Sequence, residues 1–280
     1  MNPLPPLRLS QGHLNLLSAC PRKFQHTYLE QLASPTTPEQ LERLAAGSQF
    51  HLLMQQWQLE LPIEPFVEED TQLQRWFSSF TKAMPQILKL DKPGGNVLRQ
   101  SEYALTVEFQ GYLLTVAYDL LISNSAQAKI LDWKTYPQPQ NPRWLLQNWQ
   151  TRLYPFVLAE TGFYLPEQIS MTYWFFQAEG EASEEAQHFT VVYDTARHEE
   201  TRRDLTQLLI QLTHWLERYQ AGESFPQVSL GASLCDSCNY AIRCDRTPSP
   251  PVDHEPIQNK YSLSSDFTLP NLADIQEIPL

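Results

Sequence analysis

The run Lys129-Ile130-Leu131-Asp132-Trp133-Lys134-Thr135 sets a carboxylate and an ammonium two residues apart in an otherwise apolar stretch. In an extended chain, residues of like parity share a face, so Asp132 and Lys134 point one way while Leu131 and Trp133 pack the other way. Burying such a pair without purpose is costly. The carboxylate can hold a hard divalent cation, and the lysine can orient or deprotonate a water beside it. Asp119 lies near the end of the preceding predicted strand, after Thr115 and Ala117 of like parity, and a meander would bring it beside Asp132. Two acids and one lysine on neighbouring strands suffice to bind Mg²⁺ and to position water for phosphodiester attack. The same three residues also fit a surface ion pair on an edge strand, with Asp119 starting a turn.

Further groups could complete such a site. Gln150 and Tyr154 stand four apart on a predicted helix and share a face, where an amide and a hydroxyl could grip a phosphate or a base edge. His51, four residues after Gly47, could bring an imidazole to the metal. Cys235, Cys238 and Cys244 form C-x2-C-x5-C, and Cys20 stands far upstream. In a reducing compartment this pattern reads as metal or cluster binding before disulfide. Four thiolates suit a tetrahedral zinc or a [4Fe–4S] cluster. One redox pair with two incidental buried cysteines is the other reading of the same spacing.

The elements that must carry these groups follow from periodicity and punctuation. The chain has 280 residues, 42% hydrophobic, enough for a sizeable core. Residues 1–8 are Pro-rich and expected to be extended. Helices are predicted over 11–30, with a break at Cys20-Pro21, and over 39–59, 73–90 (broken near Pro85), 144–160 and 196–220. Strands are predicted over 101–109, 112–122, 129–135, 169–176 and 188–193, with Gln110-Gly111 as a turn and an acidic loop holding Glu179, Glu181, Glu184 and Glu185. This order gives a mixed α/β (α+β) arrangement, a sheet of about five strands flanked by helices. Residues 9–246 form the expected ordered domain, and 247–280 an acidic, disordered tail. No apolar run reaches the length of a membrane span, and no signal peptide is visible, so a cytoplasmic location is expected. The net charge is −12, of which the tail contributes −4, so a general attraction to nucleic acid is absent.

Taken in order, Cys20-Pro21-Arg22-Lys23-Phe24, Gly47-x3-His51, Asp119, Asp132-Trp133-Lys134-Thr135, Gln150-x3-Tyr154 and the cysteine box resemble the RecB-type branch of the PD-(D/E)xK nucleases. The narrower likeness is to its iron–sulfur members, such as the AddB nuclease domain and the CRISPR-associated RecB-like exonucleases, over about residues 9–246. The resemblance implies a restriction-endonuclease-like sheet and a Mg²⁺- or Mn²⁺-dependent deoxyribonuclease, an exonuclease on single-stranded or end-bearing DNA in repair, recombination or CRISPR-type processing. It implies that His51, Asp119 and Asp132, with the carbonyl of Trp133, hold the metal. Lys134 would activate water, and Gln150 and Tyr154 would orient the site and contact DNA. Cys20, Cys235, Cys238 and Cys244 would hold a structural [4Fe–4S] cluster, or zinc, joining the N- and C-terminal segments. Glu102 matches an acidic position often seen in this branch and is a candidate for the layer behind the ligands. Two features depart from the pattern. Ala117 stands where a glycine is common, and the basic candidates Arg8, Arg22, Lys23, Lys134, Arg143 and Arg152 are few. The weak positive field points to a protein partner that delivers DNA or to a loaded strand end. A catalytically inactive DNA-binding or scaffolding relative is the alternative.

Overall fold

Residues 7–32, 37–139, 141–177 and 186–246 are described by the computed structural model. The acidic loop at Glu179–Glu185, Pro35 and the tail from Thr247 onward lie outside them. Arg8–Leu9 forms a short first strand, β1. The long helix expected over 11–30 is three pieces, α1 (Gln11–Ala19), α2 (Pro21–Phe24) and a π-turn over Gln25–Leu29. Cys20 is extended, and Pro21 starts the second piece at the one helical position where its missing N–H costs nothing.

Thr37 caps α3 (Pro38–Gln58) through a reciprocal pair with Gln40, and Pro38 takes its first turn. A short helix, α4 (Glu64–Glu69), precedes α5 (Thr71–Ile87), which Asp70 caps. Pro85 does not break α5, which runs on to Ile87 although the proline has no N–H to offer the Thr81 carbonyl. The strands β2 (Leu98–Phe109) and β3 (Tyr112–Ser123) are joined by Gln110-Gly111, both at positive φ, which matches the twist of a two-residue hairpin. They pair from Phe109↔Tyr112 to Leu98↔Ser123. Next come β4 (Ala128–Pro137), a 3₁₀ turn over Pro142–Gln147 and α6 (Trp149–Glu160). The sequence joins the last two into one helix from Trp144. Asn148 instead caps α6 by accepting from Gln150 N at 2.8 Å, which resets the start. The chain continues through β5 (Ile169–Gln177), β6 (Gln187–Val192) and α7 (Thr195–Gln220).

The sheet is mixed and has six strands among the described residues, one more than expected, because two-residue β1 is too short to read from a pattern. β2 occupies one edge of β3 throughout. The other edge is shared: β1 pairs in parallel at Leu113 and Leu114, and β4 pairs antiparallel only from Leu120 to Ser123. Past Leu131 β4 parts from β3, while its other edge stays paired in parallel with β5 from Ala128↔Ile169 to Lys134↔Phe175. The opening falls at Asp119 and Asp132, the next residues in register.

Helices cover both faces. Phe50, Leu53 and Met54 of α3 and Leu73, Trp76 and Phe80 of α5 bury against Leu120, Leu131, Trp133, Trp174 and Phe176. On the other face Thr151 of α6 bonds Tyr173 at 2.7 Å, and Tyr118 donates to the Tyr154 carbonyl at 2.9 Å. These belong to one compact unit, residues 37–209 with the first strand; residues 12–32 and 210–246 form a second. The second unit is cored by Phe24 stacked on Phe225, with Trp215 and Tyr219 around it, and Arg22 donates to the Phe225 carbonyl at 2.6 Å.

Gly47 is where α3 comes closest to β4: a Cβ there would meet Thr135 Oγ1 at 3.3 Å. Gly47→Val, whose branches reach further, is expected to push α3 off the strand, lowering Tm and weakening cation binding through His51 one turn on. Thermal melts with and without Mn²⁺ check this; an unchanged Tm would refute the close fit.

Candidate active site

Trp133 anchors the site through its backbone, while its indole is buried in the core. Its N–H donates to Asp119 Oδ2 at 2.6 Å. Its carbonyl lies 3.1 Å from His51 Nε2. The side chain of Asp119 thus takes the place of the strand partner lost where β3 and β4 part. His51 closes the ring, with Nδ1 3.2 Å from Asp119 Oδ1. On either side of Trp133 along β4, Asp132 and Lys134 meet at 2.6 Å. Gln150, at the capped start of α6, bridges them: its Nε2 donates to Asp132 Oδ2 at 2.5 Å and its Oε1 accepts from Lys134 at 3.0 Å. Asp132 is 3% exposed and Lys134 7%, so the ion pair is not a surface one.

The charges follow from this burial. Burial pushes the Asp132 carboxyl up; the Lys134 ammonium pulls it back, and the charge of Asp119 adds to the rise. Burial would lower the Lys134 ammonium, but Asp132 outweighs it and holds the lysine protonated. Burial also works against a charged His51, yet Asp119, by charge and hydrogen bond, lifts the imidazole to about 9. Both ring nitrogens of His51 face oxygens, as an imidazolium requires. A histidine raised above its unfolded value of 6.5 stabilises the fold fully below pH 6.5, and this is lost as pH rises through about 9. The metal-free protein is therefore expected to lose Tm between those limits, and His51→Gln to lose less; parallel melts of the two proteins test it.

Glu102 gains a place beside the ligands. The hairpin register sets it opposite Asp119, and its φ of 48° is a left-handed conformation that a glutamate adopts only under constraint. His51, Glu102 and Asp119 offer ligand atoms all within 4.8 Å of one another. Asp132 stands outside this tight group, and Lys134 and Gln150 engage its oxygens. The carboxylates of Glu102 and Asp119 are hard donors of the kind Mg²⁺ and Mn²⁺ take, with a third acid pushed toward neutrality nearby, and His51 could join them only by giving up its extra proton as the cation binds. Glu102→Gln is expected to weaken Mn²⁺ binding about 10-fold or more, judged by the cost of losing one charged group in a metal site; calorimetric titration reads it, and unchanged affinity would exclude a ligand role.

Tyr154 lies one turn further along α6. Its side chain is 2% exposed and packs edge-on against Tyr118, 5.5 Å between ring centres. In the second unit, Cys20, Cys235, Cys238 and Cys244 are half-buried free thiols that line one pocket with Lys23, Tyr240 and Arg246. Burial raises the Cys244 thiol; Arg22 opposes this, and the other three cysteines add to it. Four sulfurs facing a common space are the donor set of a zinc or iron–sulfur centre.

A model of the PD-(D/E)XK nuclease superfamily matches residues 8–245. The chain belongs to the PD-(D/E)XK nuclease superfamily. Membership implies a hydrolytic nuclease. A structure described as "Putative exonuclease" from Eubacterium rectale aligns with TM-score 0.49 and 12% identity over 88% of this chain and 90% of that one. No curated protein matches the chain. No helix among the described residues is long and apolar enough to cross a membrane.

Proposed function

We propose that this PD-(D/E)XK protein is a Mg²⁺- or Mn²⁺-dependent deoxyribonuclease of the RecB-type iron–sulfur branch, acting in the cytoplasm on single strands or strand ends. The observation that carries this is the Trp133 peptide, clamped by Asp119 and His51 with Asp132, Lys134 and Gln150 alongside it. His51, Glu102 and Asp119 hold the cation, with Asp132 and the Trp133 carbonyl beside them. The cation supplies positive charge to the phosphate and acidifies water. Lys134 orients the attacking water and offsets charge developing on the phosphate. Gln150 keeps Lys134 and Asp132 aligned, and Tyr154 fixes α6 from beneath.

The choice of single strands or strand ends follows from the resemblance to the RecB-type branch; the residues that would meet the strand, Asp119, Asp132, Lys134 and Gln150, are each at most 9% exposed. The few basic residues leave room for a partner that delivers the strand. We assign residues 9–246 to the nuclease domain, including its cysteine segments, and 247–280 to an acidic tail.

The cysteines are read as a [4Fe–4S] site. Tetrahedral zinc, with Zn–S near 2.3 Å, holds its sulfurs about 3.8 Å apart. Cys20, Cys235, Cys238 and Cys244 line one pocket, a donor set that suits either centre, and the resemblance to the iron–sulfur members is what favours the cluster.

Digestion of linear and covalently closed circular single-stranded DNA tests the reading. The linear strand is expected to be degraded in Mn²⁺, EDTA to stop it, and the circle to survive. Cleavage of the circle would overturn the need for an end.

A further inference from the structure

Tyr136 follows Asp132 and Lys134 at the same strand parity, so the three share one face of β4. Its ring packs against Phe175 at 5.8 Å between centres, and Phe175 is the residue paired with Lys134 on β5. The β4–β5 register breaks between Lys134 and Pro137, which turns this end of the strand away from regular pairing. The Tyr136 hydroxyl is buried and has no hydrogen-bond partner among the described residues. Asp132, an acceptor on that face, is already engaged by Lys134 and Gln150. An unpaired buried hydroxyl is costly, and proteins rarely keep one without reason. Burial raises this phenol, and the charge of Lys134 only partly offsets it, so it stays a donor. A donor lacking an acceptor, next to the lysine that meets the substrate, suits an anion brought in from outside.

We propose that Tyr136 is a substrate-positioning residue whose hydroxyl donates a hydrogen bond to a non-bridging oxygen of the scissile phosphate. This rests on the nuclease reading above and adds a contact to it. The contact would orient the phosphate while Lys134 orients the water. It calls for no proton transfer by Tyr136.

The test is single-turnover cleavage by wild type and Tyr136→Phe of end-labelled single-stranded DNA in Mn²⁺, at the terminal linkage that wild type removes. That linkage is made in turn as normal phosphate and as each phosphorothioate diastereomer. Tyr136→Phe is expected to cleave normal DNA about 10-fold or more slowly, with Tm unchanged or raised, since the free protein loses only an unpaired hydroxyl. One diastereomer should slow wild type more than it slows Tyr136→Phe, because the variant has already lost the bond that sulfur weakens. Wild-type rates in the variant would overturn the proposal. So would a lowered Tm with equal sulfur effects in both proteins, which would make the hydroxyl structural. No cleavage by wild type in any condition would overturn the nuclease reading itself, and this contact with it.

Discussion

Lys134→Ala is expected to lower the cleavage rate by about 10²–10³-fold, the usual cost of removing one preorganised charge from a reacting centre. It should also destabilise the metal-free protein. The ammonium sits 2.6 Å from a carboxylate that is 3% exposed, and breaking a buried pair leaves the other charge stranded, at about 3 kcal/mol or more. That cost has a pH signature. Burial already pushes Asp132 up, and without Lys134 it rises further, so acid relieves the loss by protonating it. The Tm deficit of Lys134→Ala should therefore shrink from pH 8 to pH 6. Lys134→Arg separates the two effects: it keeps a cation for Asp132 but cannot place a single point charge as lysine does. It should recover most of the stability and little of the activity. Rate and Tm falling and recovering together across both variants would mean that Lys134 only holds the fold.

Replacing Cys235 or Cys238 by serine is expected to have the other large effect. The second unit joins residues 12–32 to 210–246 through a small aromatic core around Phe225 and a few hydrogen bonds, among them Tyr240 to the Leu32 carbonyl at 2.8 Å. So small a core gains much from a metal staple. Loss of one ligand should abolish the brown colour and the complement of about four irons per chain. It should lower Tm by about 10 °C or more, at 2–4 °C per kcal/mol for a domain of this size. Anaerobic purification with iron and zinc analysis reads both. A colourless wild type carrying one zinc would replace the cluster with a zinc site. Wild-type Tm in both variants would mean that no metal staples this unit.

Much of the catalytic strand can be read from the sequence because strand parity is a strict rule. Asp132 and Lys134 on one face and Trp133 in the core follow from alternation alone. Gln150 follows from helical phase once its strand partner is known. The place of Glu102 was also within reach. A two-residue turn at Gln110-Gly111 fixes the hairpin register and so sets Glu102 against Asp119. Its positive φ was not, since a strained backbone is held by its surroundings and leaves no mark in residue type. The parting of β3 from β4 was equally hidden. It shows only in the register of the folded sheet, where β4 keeps its pairing with β5 past Leu131 while its pairing with β3 stops. Helical phase puts Tyr154 on the side of α6 that carries Gln150, and one turn further on that side lies over Tyr118. The sixth strand, with two residues, is too short for any period to register.

The most direct measurement of the central claim is the metal dependence of cleavage in wild type, Asp119→Asn and Asp132→Asn, on one end-labelled single strand titrated with Mn²⁺ at fixed protein. The account predicts saturable activity in wild type, removed by EDTA and restored by excess Mn²⁺. It predicts loss of at least about 10²-fold in each variant at every Mn²⁺ concentration, each variant still melting cooperatively but Asp132→Asn at a lower Tm, because it strands Lys134. Wild-type cleavage by either variant, or cleavage that EDTA leaves untouched, would contradict it.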